Sequence, residues 1–474
     1  MSRISRESGV SRPTLYAWRD QARRALVGAF TPAARGARGT LVLERQVLTL
    51  WMAGHASERG IQTCLREVRG HSVSLETITA ILREADRRAL GWMATQLPAS
   101  MRAVALDEIY ANARRGAYLN VVDVHSGAVW ASDGPVPVDT ESWTLVLWEL
   151  WERGLRWERV VKDDGAAMAA ACRAVTPHLR PQQDQWHLLH TCAQVQARLE
   201  RPARALDAAT PVVARQAARV AAGQRPRGCR PKTDIAAHTA AVARARRVAD
   251  DVRFLTGELR RLLDVVVLDR RGVLDPAARQ AELDVLLALL AEVVAAAPAP
   301  QQAEVRRLHI ALGAALPAVL TFVESVARVQ QDLRAVLPPE QQAVVAWAWL
   351  RRRALGWTRR DLLAALPPEW RPATAVLLHT WDDAVRVSSA VERWHSILRP
   401  HLAVHRTLST GRLALLAVWH NHRVFPRGLH QGLSPLHLSG LTDAPTDWLV
   451  ALGYPPTQAP AQSQTVPSAL ALAA

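Results

Sequence analysis

The 474-residue chain is too long for one compact core and calls for two to four domains. Its 59 Lys and Arg against 43 Asp and Glu give a net charge of +16, which favours a polyanionic partner, most simply nucleic acid. Cys64, Cys172, Cys192 and Cys229 lack CxxC or zinc-finger spacing, no signal-peptide pattern opens the chain and no apolar run reaches membrane-span length, so a cytoplasmic protein is expected.

Residues 1–27 read as a partial helix-turn-helix. Gly9 makes the turn, Ser11 caps the second helix, and Pro13 sits in its first turn, where a missing N–H costs little. Leu15 and Trp18 face inward, leaving Arg12 and Arg19 for phosphates or bases. Without its neighbours this is an ordinary amphipathic helix. The first helix of the unit is abbreviated near Ile4. A Gly-, Ala- and Arg-rich linker follows. Residues 40–96 then carry three helix-sized segments, a helical DNA-binding domain. Ser74 and Thr77 open a second recognition-type segment whose apolar stripe is Leu75, Ile78 and Leu82.

After Leu97-Pro98 the pattern changes to strands. Val104–Tyr110, Tyr118–Val124 and Ala128–Ser132 predict an antiparallel meander around the turn at His125–Gly127. A Trp- and Leu-rich helix from Thr140 shows Trp143, Leu147 and Trp151 on one face. The short strand Arg159–Lys162 is expected to run parallel to the first strand, because a helix connects them. An Ala-rich helix over Gly165–Val175 and a last short strand at Gln182–Asp184 complete a first block, 101–190. Residues 191–387 read as helices throughout, three to six of them, punctuated by Pro298, Pro300, Pro338, Pro339, Pro367 and Pro368. Two more helices, Ser388–Pro400 and Ser409–His422, occupy 388–440. The stretch 441–474 is expected to be largely disordered.

Three acids stand out. Asp107 lies within an apolar strand, where an unpaired charge is costly. Asp163 and Asp164 follow Val160-Val161-Lys162, and Glu392 opens a helix in Val391-Glu392-Arg393-Trp394-His395. Singly, each has a bland explanation: Asp107 a strand-end residue, Asp163-Asp164-Gly165 a turn and helix cap, Glu392 a surface pair with Arg393 or Arg399. Strand alternation places Asp163 rather than Asp164 at the site, with Asp164 as the alternative second acid. His187, with His190 and Cys192 close by, lacks a four-ligand zinc spacing and is taken as a neighbour of the acids. Trp347, Trp349 and Trp357 are expected in a helical core.

The order of these pieces resembles DDE-type insertion-sequence transposases. The resemblance is to the Mutator-like and hAT-like branch, in which an all-helical insertion separates the second and third acids. It rests on Asp184-Gln185-Trp186-His187 after the second acid, on Val391–Ser396, on Trp419-His420-Asn421, and on the paired helix-turn-helix region. It implies an α/β RNase H-like core with a mixed five-stranded sheet, interrupted by an all-α insertion and preceded by helix-turn-helix units. It further implies Asp107, Asp163 and Glu392 as catalytic acids holding two Mg2+ or Mn2+ ions, with Asp184, His187 and His395 nearby. The expected partners are double-stranded DNA, as element ends and target, and further copies of the chain on that DNA; bound there, the protein would sit with the bacterial nucleoid. Clustered carboxylates suit two-metal phosphoryl transfer. The competing reading is a catalytically inactive, transposase-derived DNA-binding protein or regulator.

Overall fold

The computed structural model describes residues 37–99, 101–110, 116–163, 165–225, 234–266, 274–384, 389–427 and 430–456, with 37–41 as backbone alone. The helix-turn-helix expected at 1–27, including Arg12 and Arg19, lies outside these residues, as does Asp164.

The described chain opens with three helices, α1 (Ala37–Met52), α2 (Glu58–Arg69) and α3 (Leu75–Thr95). Their boundaries follow from capping. Ser57 Oγ accepts the Gly60 N–H and Ser74 Oγ accepts the Thr77 N–H, each satisfying a donor left over in a first turn. Gly70 ends α2 at φ 66°, where a side chain would be strained. The stripe Ile78, Ile81, Leu82, Ala85 and Ala89 of α3 is buried, as 3.6-residue periodicity requires.

A five-stranded mixed sheet follows, built from β1 (Ala103–Tyr110), β2 (Ala117–Asp123), β3 (Val129–Val136), β4 (Arg159–Lys162) and β5 (Gln182–Gln183) in the order β3-β2-β1-β4-β5. The β1–β2–β3 part is antiparallel; β4 runs parallel to β1, and β5 parallel to β4. Helices α4 (Thr140–Glu152) and α5 (Ala166–Val175) supply the parallel crossovers. They cover one sheet face with Trp143, Leu147, Leu150, Met168 and Cys172, which meet Val104 and Leu106 of β1.

The other face, through Ala105 and Ile109, packs against α14 (Ser389–Val404) and α15 (Thr410–His422), which return from far along the chain. The buried residues of α1–α3 belong to this same hydrophobic cluster. The boundary expected near residue 97 is therefore not a packing boundary. Asp86 of α3 bonds Arg412 of α15 at 2.9 Å, and a Cβ on Gly411 would come within 2.8 Å of the Asp86 Cβ, so glycine permits this close approach.

Between β5 and α14 runs the helical unit: α6 (Gln185–Ala221), α7 (Ile235–Leu262), α8 (Pro276–Ala296), α9 (Ala299–Val319), α10 (Thr321–Asp332), α11 (Pro339–Arg351), α12 (Arg359–Ala365) and α13 (Arg371–Asp383). Among the described residues it holds more helices than the three to six expected. Several prolines start helices rather than separate long ones: Pro298 and Pro338 are N-caps, and Pro276 and Pro339 are first-turn residues. Helices α9 and α10 form a run long and apolar enough by composition to cross a membrane, but Val305, Leu308, Leu312, Phe322 and Val323 are buried in this unit's own core.

Of the stretch 441–474, residues 441–456 are described, and they pack. After α16 (Pro435–Leu438), α17 (Trp448–Ala451) buries Leu449, and Leu452 and Tyr454 join the same core, with the Arg88 guanidinium 4.4 Å above the Tyr454 ring. Three apolar residues spaced to meet α3 outweigh the Pro- and Gln-rich composition beyond them. Trp347 and Trp357 are not core residues: Trp347 is 51% exposed on an outward apolar face of α11, Trp357 is 38% exposed in the connection between α11 and α12, and Arg352 lies over the Trp349 ring.

Candidate active site

The register of the sheet brings the first two acids together. Leu106 of β1 is level with Lys162 of β4, so the next residues, Asp107 and Asp163, are level as well. The third acid arrives on α14. Trp394 Nε1 donates to Asn120 Oδ1 at 2.8 Å, and Ser132 Oγ donates to the same oxygen at 2.8 Å. Asn120 Nδ2 donates to the Tyr118 carbonyl at 2.9 Å and to His395 Nε2 at 3.2 Å. One buried amide of β2 thus clamps the first turns of α14 onto the sheet and sets Glu392 above Asp107.

The outcome is a cluster of oxygens. Asp107, Glu392 and His395 each offer a ligand atom within 4.8 Å of the others, and so do Asp107, Glu108 and Asp163. Asp107 is common to both groups. Burial pushes its carboxyl up to about 8, with Asp163, Glu108 and Glu392 adding repulsion against the Glu108 N–H that bonds Asp107 Oδ1. Glu108 is raised to about 7, first by burial and then by Asp163. Its Oε2 is buried and has no hydrogen-bond partner among the described residues.

His395 lies 3.7 Å from Asp107 through Nδ1, a distance that suggests an ion pair. Burial holds its pKa down at about 4, so the imidazole is neutral at pH 7 and the contact is not ionic. Because an amide nitrogen can only donate, His395 Nε2 is an acceptor and the Nδ1–H faces Asp107.

The remaining residues singled out in the sequence fall around this cluster. Asp163 Oδ1 accepts the Gly165 N–H at 2.9 Å at the start of α5. Glu392 also accepts from Arg399 at 3.1 Å, so the surface pair and the clustered position coexist. Asp184 is buried, donates its N–H to the Lys162 carbonyl at 2.7 Å and caps α6 through the Trp186 N–H at 2.6 Å. It ties α6 to the strand that carries Asp163. His187 Nε2 is buried without a partner among the described residues, and the ring is close enough to contribute to the depressed pKa of His395. Cys192 is buried with its thiol raised to about 11, so it is no thiolate ligand. In Trp419-His420-Asn421, Asn421 bonds both the N–H and the carbonyl of Val129, at 2.8 and 3.0 Å, and His420 Nε2 donates to the Gly127 carbonyl at 3.0 Å. That motif pins α15 to the β2–β3 hairpin.

Ser74 and Thr77, expected at DNA, are occupied with capping: their hydroxyls are 2.8 Å apart and the Ser74 Oγ holds the Thr77 N–H. Sequence reasoning missed Asn120 and Glu108. The signal for Asn120 was available: an amide in the middle of Tyr118-Leu119-Asn120-Val121-Val122 needs a partner that the strand itself does not supply.

Comparison with known proteins adds one finding. Residues 23–208 match the family model described as Transposase, Mutator family. The match covers less than half of the chain, takes in Asp107, Asp163 and the Asp184–His187 stretch, and stops before Glu392. It supports a transposase, in general terms a DNA-binding, DNA-cleaving and DNA-transferring enzyme of a mobile element. No curated protein matches the chain.

Proposed function

We propose that this chain is a DDE-type transposase that cleaves and transfers the DNA strands of an insertion sequence, with Asp107, Asp163 and Glu392 as its acids. The single observation that carries this reading is their convergence on Asp107: the buried carboxylate of β1 belongs to one ligand group with Glu392 and His395 of the distant α14 and to another with Glu108 and with Asp163 at the end of β4. On this reading the sheet and its helices form an RNase H-like core, and α6–α13 are the helical insertion of the Mutator-like and hAT-like branch.

The donor set fits hard divalent cations. It is carboxylate oxygen, crowded enough to raise Asp107 and Glu108, with the Glu108 Oε2 unpartnered. Asp107, Asp163 and Glu392 would hold Mg2+ or Mn2+, two ions. Bound there, the ions would activate the attacking oxygen and stabilise the leaving oxygen of a phosphodiester. The chain's own residues do the positioning. Asn120 and Trp394 fix α14 against the sheet. His395, neutral and presenting Nδ1–H to Asp107, steadies that carboxylate without a competing positive charge. Asp184 holds the start of α6 beside Asp163.

Double-stranded DNA, as element ends and target, is the proposed partner, with the net charge of +16 as support and a homo-oligomer as the acting form. We place the protein in the bacterial cytoplasm, on the nucleoid when bound to DNA. Helices α2 and α3 would form a helix-turn-helix unit, with the exposed Arg59, Arg66, Arg69 and Arg83 available to phosphates. Because α1–α3 share the core of the sheet, deleting them would unfold it, so the test uses point variants. Replacing these arginines should flatten the salt dependence of DNA binding. The catalytic test is nicking of supercoiled plasmid with Mg2+ or Mn2+. Asp163→Ala should abolish it and Asp164→Ala should retain it; the reverse would assign the second acid to Asp164.

A further inference from the structure

Helix α8 is apolar on more than one face. Leu283, Leu286 and Leu290 are buried in the core of the helical unit, while Val285 and Leu289 are 59% and 41% exposed. Beside them on α7, Phe254 is 65% exposed. Two cavities, of about 500 and 550 Å³, lie end to end along these helices and share Phe254, Leu255 and Leu289, so they form one groove. It runs along α7 from Arg244 to Arg261, about 26 Å by the rise of a helix. A helix with apolar residues all round is normally covered, and an exposed apolar strip of this length marks a contact site.

The groove carries its own complement. Its lining sets Arg247 with Glu292 at one end and Arg261 with Ala278 at the other, so α7 and α8 run antiparallel. A two-fold axis along the groove lays α7 of each copy on α8 of the other. The four helices then form an antiparallel bundle with Phe254, Val285 and Leu289 inside. The same operation brings Arg244 and Arg247 of one copy to Glu292 of the other. Among the described residues Glu292 has no salt bridge, and Arg247 has a loose, exposed one to Asp251 at 3.8 Å. Arg244, Arg247 and Asp251 leave α7 net positive at this end, opposite in sign to Glu292. At the other end Arg261 and Glu258 neutralise each other at 2.9 Å. Two helices about 10 Å across give this face about 500 Å² per copy, about 1,000 Å² in all, the lower end for a specific interface.

We propose that two copies of the chain pair through this groove, weakly and without DNA. The inference names a surface for the homo-oligomer of the transposase reading. Its test contains neither DNA nor metal, so its failure is told apart from a failure of plasmid nicking.

The experiment is sedimentation velocity of the full chain over a series from about 1 to about 50 μM. The wild-type chain should shift reversibly from monomer toward dimer. Phe254→Glu, at an exposed position that leaves circular dichroism native, should weaken pairing about a hundredfold, because both copies contribute the residue. Arg247→Glu and Glu292→Arg should each weaken it about tenfold, since like charges then oppose at both symmetric contacts. Mixing those two variants should restore the dimer as a heterodimer, in which each rim contact again joins opposite charges. Repair within one chain cannot produce that result. A wild-type chain that stays monomeric throughout the series would overturn the proposal, the outcome expected if another partner or the chain's own termini fill the groove. So would a dimer indifferent to Phe254→Glu, or a mixture no more associated than its components.

Discussion

The sheet unit and the helical unit that interrupts it bury polar groups in opposite ways. In the helical unit, buried side chains serve the backbone. Gln301 donates to the Leu199 and Ala245 carbonyls, Gln342 to those of Gln330 and Leu337, and Arg279 to that of Leu262. In the sheet unit, a buried acid faces other acids: Asp107 has the half-buried Glu108, Asp163 and Glu392 as neighbours and is raised to about 8. The first arrangement satisfies groups that helix ends and crossings leave over. The second leaves a destabilising concentration of negative charge that only protonation or a cation relieves. Polar burial of the first kind holds a fold, and polar burial of the second kind marks a site.

Substitutions that act on one unit but not the other break the comparison most directly. The largest effect belongs to the acids. Asp107→Asn or Glu392→Gln should cut metal-dependent plasmid nicking by about a thousandfold, since the charge stabilisation they anchor amounts to several kcal/mol. Circular dichroism should stay native. In the helical unit the balance reverses: Leu308→Ala, at a site 2% exposed, should cost about 2–5 kcal/mol in denaturant unfolding. Nicking per folded molecule should be unchanged.

Asn120→Ala tests the join between fold and site. It would leave Trp394 Nε1 and Ser132 Oγ without their acceptor, costing about 1–3 kcal/mol. Activity should fall about 10- to 100-fold, because an outer residue that orients ligands is lost. A stability loss with full activity would show that Asn120 does not position Glu392.

The smallest effect is on pH dependence without metal. Asp107 and Glu108 have folded values, about 8 and about 7, above their ordinary 3.8 and 4.5. The folded state therefore binds their protons more tightly, and the stability they contribute below about pH 4 is lost as pH rises toward 8. His395 and His420, both held near 4 by burial, act in reverse: the stability they contribute above about pH 6.5 is lost as pH falls toward 4. Melting in EDTA should show both limbs, and Asp107→Asn should flatten only the alkaline one.

Much of this was legible in the sequence. The antiparallel meander and the parallel run of β4 beside β1 followed from where turns and helices connect the strands, and β4 was delimited correctly because turn residues bound its short apolar run. Asp107, Asp163 and Glu392 stood out as acids in apolar settings. Other features depend on tertiary packing that no local pattern records. Helices α1–α3 look like a separate bundle because Pro98 and a loop follow them, yet their apolar stripe is completed by α15 from the far end of the chain. Glu108 was not singled out, since only the side-by-side placement of β1 and β4 brings it to Asp163. The count of helices was underestimated because a proline at a helix start and one at a break look alike in sequence.

Divalent-cation binding at the three acids is the central claim, and Mn2+ titration followed by electron paramagnetic resonance tests it most directly. The wild-type chain should bind Mn2+, and Asp107→Asn should lose that binding. Asp86→Asn, a change at an acid of α3 also raised by burial but paired with Arg412, should keep it. Undiminished Mn2+ binding by Asp107→Asn would contradict the account.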